Sequence, residues 1–162
     1  MRKMLGWILL PVLCAGLALG QEAQAGGVSS EAFQQSLKQL EQKPEDRALR
    51  EKVIQSAQQV KPAPEISKEA RGHFSKGYFV QREAKSQKDY ETAVAEYRKA
   101  IDLAPWWAAV YYHLGTAYER LGNRDAAIAN LNLFLASHPG HAGEQEALDR
   151  IHNLEGKTPA KK

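Results

Sequence analysis

Apolar residues recur along this chain at helical spacing, and prolines and small residues divide them into segments. Ser29-Ser30 precedes Phe33, Leu37 and Leu40, which fall at i, i+4 and i+7 on one face and predict a capped amphipathic helix. Pro44 breaks it, and Ala48, Leu49, Val53, Ala57 and Val60 mark a second helix. Lys61-Pro62-Ala63-Pro64 reads as an extended connector, because each residue before a proline is pushed out of the α region. Ser67 caps the next helix, and further helical stripes follow to Pro105 and Pro139. Leu148, Ile151 and Leu154 then put one apolar edge on an otherwise polar helix from about 142 to 155. No segment has the alternation of a strand.

The second half of the pattern repeats. Ala93 and Ala127 are separated by the same interval as Tyr97 and Leu131, Ile101 and Leu135, and Pro105 and Pro139. The later copy is the sharper one: Tyr111-x-x-Leu114-Gly115-x-x-Tyr118, then Ala127-x-x-x-Leu131 and Pro139. Gly115 and Ala127 are small where two helices of one unit would cross, while Tyr111, Leu114, Tyr118 and Leu131 fill the space beside them. Gly122-Asn123 is placed to stop the first helix, since both residues tolerate a left-handed C-cap. Phe134 stands where a small residue is commoner, which predicts a wider gap to the next helix. The earlier copy has Gly77 at the crossing, but the interval from Gly77 to Gly115 overshoots the period by about one helical turn. Glu83 to Gln87 therefore reads as an extended first helix or a longer turn.

These residues resemble the tetratricopeptide repeat (TPR), a helix–turn–helix unit of about 34 residues with the pattern W-x₂-L-G-x₂-Y…A-x₃-F…P. The shared interval of the four pairs equals that period. The resemblance is strong over 66–139 and weak over 31–60, where only the Ala32-to-Pro44 spacing matches. It implies an all-α, right-handed TPR-type solenoid of about seven helices. The expected order is a signal peptide (1–25), a degenerate helical pair (26–61), a connector (62–65), one repeat (66–105, with the insertion), a second repeat (106–139), a capping helix (140–155) and a disordered tail (156–162). The repeat-defining positions are Gly77, Ala93, Tyr97, Pro105, Tyr111, Leu114, Gly115, Tyr118, Ala127, Leu131 and Pro139.

In the family, first helices line a concave face that holds another protein or peptide. That implies Arg71, Phe74, Tyr78, Gln81 and Arg82 from the earlier repeat, and Ala109, Tyr112, Thr116, Glu119 and Arg120 from the later one. Phe74, Tyr78 and Tyr112 serve equally well as packing against preceding helices. Trp106-Trp107 read as a hydrophobic wedge seating the next unit rather than as a partner contact. The Lys/Asn clamp by which some family members grip a chaperone's terminal carboxylate is missing, with Phe74, Tyr78 and His113 in its place. A rival arrangement folds the N-terminal helices over the groove and leaves a structural, self-associating subunit.

The N-terminus adds a compartment. Arg2 and Lys3, an apolar run from Met4 to Leu19, and Ala23-Gln24-Ala25 have the order of a secretory signal peptide cleaved after Ala25. The run is about 16 residues, short of the roughly 20 a span needs, so an uncleaved anchor is the lesser alternative. Cys14 lies inside the run after Leu13, against a lipoprotein signal. Cleavage leaves no cysteine, hence no disulfide and no thiolate chemistry. It also leaves 20 basic and 18 acidic side chains, interleaved, which gives no footing for nucleic acid. His138-x-x-His141 has metal-ligand spacing but no carboxylates to complete a site, and no catalytic motif is present. The expectation is a secreted or periplasmic non-enzymatic scaffold with protein or peptide partners. It has no cofactor, no metal and no small-molecule substrate, and touches membrane only through an uncleaved signal segment.

Overall fold

The structure is a computed structural model, and it describes residues 28–137, 140 and 143–156. The described residues fold into seven α-helices: α1 (Ser30–Gln42), α2 (Arg47–Ala57), α3 (Lys68–Arg82), α4 (Gln87–Leu103), α5 (Ala108–Arg120), α6 (Arg124–Leu135) and α7 (Glu144–Leu154). The signal segment, His138, Pro139, His141 and the tail beyond Gly156 lie outside the described residues.

Most starts are written in side chains. Ser29, Asp46, Ser67 and Asn123 accept hydrogen bonds from the backbone N–H three residues on, satisfying donors that a first helical turn leaves unpaired. Gly122 ends α5 with φ +72°. There the Asn123 N–H donates to Tyr118 O at 2.9 Å and the Gly122 N–H to Glu119 O at 3.0 Å, the two bonds of a Schellman stop.

The additional turn of sequence between the glycines falls only partly where expected, in a longer turn. α3 and α5 both end five residues after their crossing glycine, so the first helix is not extended. One residue enlarges the α3–α4 turn and three lengthen the start of α4. The cause is local: Ser86 and Asp89 form a reciprocal capping box that starts α4 a turn early.

The hairpins α3–α4 and α5–α6 close on their small residues. A Cβ on Gly77 would stand 2.9 Å from the Tyr97 ring, and one on Gly115 would stand 2.9 Å from Leu131 Cγ and 3.2 Å from Ala127 O. Ala93, Tyr97, Ala127 and Leu131 are fully buried there. Between the hairpins Val110, Tyr111, Leu114 and Ala117 complete a continuous core with Val94 and Ile101. α7 adds Ala147 and Ile151 to its far end. Phe134 is buried between α6 and the start of α7, its ring 5.1 Å from Tyr112 and directly beside Gly143. The chain is an all-α helical solenoid.

The α1–α2 hairpin does not fold over the face of the first helices, contrary to the groove-filling arrangement. It has its own small core of Phe33, Leu40, Val53, Ala57 and Val60. It docks on the side of the second helices: α2 meets α6, Ile54 enters the main core, and Arg50 donates to the Tyr111 hydroxyl at 3.3 Å. Trp106, at the α4–α5 turn, meets Phe33 edge-on at 5.7 Å and pins the hairpin there. The apolar surface that holds it lies at the α4–α5 turn and along α2, where Trp106 meets Phe33 and Ile54 joins the main core.

Candidate protein-binding surface

The valley between α3 and α5 is built by two parallel stripes. Tyr78 meets His113 and Gln81 meets Thr116, so a step of three residues along α3 matches three along α5. Phe74 is the hub. Its ring lies 4.8 Å from Trp107, 5.3 Å from His113, 5.9 Å from Tyr97 and 6.3 Å from Tyr78. The two tryptophans thus face opposite ways, Trp106 to the N-terminal hairpin and Trp107 to this aromatic cluster. Burial holds the His113 imidazole below its usual pKa, so it stands neutral at pH 7 as one more ring in the stack.

Beneath the rings runs a half-buried polar relay. The Tyr97 hydroxyl donates to Gln81 Oε1 at 2.6 Å, Gln81 Nε2 donates to Thr116 Oγ1 at 2.9 Å, and Thr116 donates to the His113 carbonyl at 2.9 Å. Desolvation pushes the Tyr97 phenol far above its usual range and keeps it a donor. The relay locks the rotation of α3 against α5.

These facts sort the residues expected on the concave face. Thr116 is buried and Gln81 uses both ends of its amide, so both are inter-repeat joints rather than offered surface. Glu119 pairs with Arg150 of α7 at 2.7 Å, and Tyr112 lies half-buried on Phe134. Phe74 is half-buried. Arg82 bonds Glu83 at 2.9 Å and covers the Phe79 ring. What stays open is Tyr78, 43% exposed, with Arg71, Ala109 and Arg120. Neither Arg71 nor Arg120 makes an ion pair among the described residues.

Trp107 and Arg150 belong to this face without having been assigned to it from the sequence, and His113, read there only as the residue at a clamp position, joins them. His113 was legible, because it lies three residues before Thr116 on the same stripe. Arg150 was not, because its role depends on where α7 docks. It also bonds Glu146 at 2.9 Å. Tyr112 and Arg150 together hold the Glu146 carboxyl below its ordinary pKa.

Elsewhere the chemistry is sparse. Glu96 is buried under α3 with His73 at 2.7 Å, Lys76 at 2.9 Å and Lys99 at 3.1 Å, which fastens α3 to α4. On the opposite side of the stack a cleft of about 360 Å³ lies between the N-terminal hairpin, α4 and α6. Its charged lining of Arg50, Arg98, Glu45 and Asp102 is balanced. Among the described residues no three His, Cys, Asp or Glu side chains gather as metal ligands. No helix among them is long and apolar enough to cross a membrane.

A helical repeat with an open, aromatic valley along its first helices is the architecture of a protein-binding module. The comparison with known families gives it a name. Residues 83–122 match the TPR repeat model, and residues 109–141 match a tetratricopeptide repeat model. Between them the matches run from the α3–α4 turn to beyond α6, so this part of the chain carries tetratricopeptide repeats. Such repeats generally mediate protein–protein interaction and are generally non-catalytic. No curated protein matches the chain.

Proposed function

We propose that this protein is an adaptor of an exported, periplasmic compartment that holds a partner protein or peptide in the α3–α5 valley within an envelope complex. The observation that carries the reading is the openness of that valley. The N-terminal hairpin docks on the other side of the stack, and Tyr78, Arg71 and Arg120 are left exposed along it. Tyrosine and arginine are the residue types that dominate binding hot spots, because each combines contact area with directional hydrogen bonds.

Export rests on the sequence of residues 1–25, which has the order of a cleaved signal peptide. N-terminal sequencing of the protein from its native host tests it. A chain beginning at Gly26 supports cleavage, and one retaining residues 1–25 points to an anchored form.

Crosslinking and pull-down from the envelope fraction, with Arg71, Tyr78, Tyr112 and Arg120 replaced by alanine together, tests the surface. Loss of the partner recovered by the unaltered protein is expected. Unchanged recovery would remove the valley from the interface.

A further inference from the structure

We infer that the valley takes an extended acidic segment, one that lays an apolar side chain on Tyr78 and carries a carboxylate about three residues to either side of it. This rests on the reading of the valley as a binding face and names the chemistry it selects.

The geometry is a matter of register. Tyr78 marks the middle of the valley, its ring 5.3 Å from His113 across it. Arg71 lies seven residues before Tyr78 on α3, and Arg120 lies seven residues after His113 on α5. Because the two helices run parallel, the Cα atoms of Arg71 and Arg120 flank the aromatic centre at opposite ends, each about 10 Å away along the axis at ~1.5 Å per residue. An extended chain advances about 3.3 Å per residue. Side chains about three positions from a central apolar residue therefore reach the two arginines.

The charges that remain free set the sign. Arg71 and Arg120 are exposed without a counter-ion among the described residues. The carboxylate of α5, Glu119, is engaged by Arg150, which it shares with Glu146, and Arg82 is already paired with Glu83. An incoming carboxylate thus meets two unpaired forks suited to bidentate hydrogen bonding, whereas an incoming lysine finds Glu119, Glu146 and Glu83 already held by arginines. The centre is suited to an apolar side chain, because Tyr78 presents a ring supported from below by Phe74 and His113.

Short labelled peptides test this by fluorescence anisotropy against the full chain. One carries a central Phe with Asp at both offsets, a second has Lys at those offsets, and a third has Ala at the centre. The Asp–Phe–Asp peptide is expected to bind, to weaken as salt rises, and to lose up to about fivefold in affinity with Arg71→Ala or Arg120→Ala. Tyr78→Ala should weaken it more than about tenfold. All three positions are exposed, so the variants keep their fold, which circular dichroism verifies. Equal binding of the Lys peptide, or indifference to both arginine substitutions, overturns the acidic assignment. The valley reading then stands if Tyr78→Ala still abolishes binding. Failure of all three peptides also overturns the proposal, and the pull-down above separately decides whether the valley binds at all.

Discussion

The helices α3 and α5 occupy equivalent places in successive repeats, yet they bury different faces. Both turn a glycine to their hairpin partner. The next face round the helix reads Val110, Leu114 and Ala117 on α5, all buried against the preceding hairpin. On α3 the equivalent residues are Gly72, Lys76 and Phe79, all exposed. An interior helix of a stack needs an apolar stripe there, and an end helix needs a polar one. Gly72 and Lys76 give α3 the character of an edge, Phe79 being the apolar exception with Arg82 over its ring, so the repeat array begins at α3. The α1–α2 hairpin does not prolong it.

The largest effect should come from placing a charge on that face in each helix. Val110→Asp puts an unpaired carboxylate into the core and should cost about 3–5 kcal/mol, enough to unfold the chain or nearly so. Gly72→Asp at the matching site should stay within about 0.5 kcal/mol, because its side chain enters open solvent. Urea unfolding followed by circular dichroism compares them. Similar losses would mean that something covers the α3 edge after all.

A second contrast concerns the crossings, where the two repeats are alike. Gly115→Ala and Gly77→Ala gain helix propensity, yet each new methyl would stand 2.9 Å from a packed side chain. Overpacking of this kind costs about 1–3 kcal/mol, so both variants should lose about 1–2 kcal/mol net. Gly77→Ala should be the worse. The Tyr97 ring it meets is tethered through its hydroxyl to Gln81 and cannot swing away. Thermal melts of the two variants side by side check the order.

Glu96 distinguishes the repeats in another way, since Asn130, its counterpart one period on, bonds only its own helix. The His73 hydrogen bond, ahead of those from Lys76 and Lys99, holds the Glu96 carboxyl down to about 2. A folded-state pKa below the ordinary 4.5 means the carboxylate contributes its stability above about 4.5 and loses it as pH falls from 4.5 toward 2. Glu96→Ala should therefore destabilise by about 1–2 kcal/mol at pH 7. The gap between variant and parent should close across that acid window. A gap unchanged down to pH 2 would show that the glutamate acts through packing alone.

Local signals carried far in this chain. Ser29, Ser67 and the Gly122-Asn123 stop were readable because caps depend on neighbours in sequence. So were the crossing glycines, through the Leu114-Gly115-x-x-Tyr118 pattern and in spite of the longer interval back to Gly77. The early start of α4 is written in Ser86-x-x-Asp89, although the interval between the glycines alone points to a longer first helix or a longer turn. The valley was only half legible. Helical register places Tyr78, Thr116 and Arg120 on one face, yet it does not say that Thr116 is covered by Gln81 or that Arg150 pairs with Glu119. Those outcomes depend on how deeply one repeat seats on the next. The docking of α1–α2 left no periodic trace, since it depends on pairings between residues far apart in sequence, Phe33 with Trp106 and Arg50 with Tyr111 among them.

The smallest effect tests the edge from the opposite direction. Gly72 lies in the interior of α3, where glycine costs about 1 kcal/mol relative to alanine, and nothing lies within 4 Å of where its Cβ would be. Gly72→Ala should therefore stabilise the chain by about 0.5–1 kcal/mol, the reverse sign to the same substitution at Gly77 five residues on. A thermal melt resolves that as a rise of a few degrees for a domain of this size. If Gly72→Ala leaves stability unchanged but weakens partner recovery, the open space beside Gly72 is there for a partner's backbone, and the edge of the array is itself part of the interface.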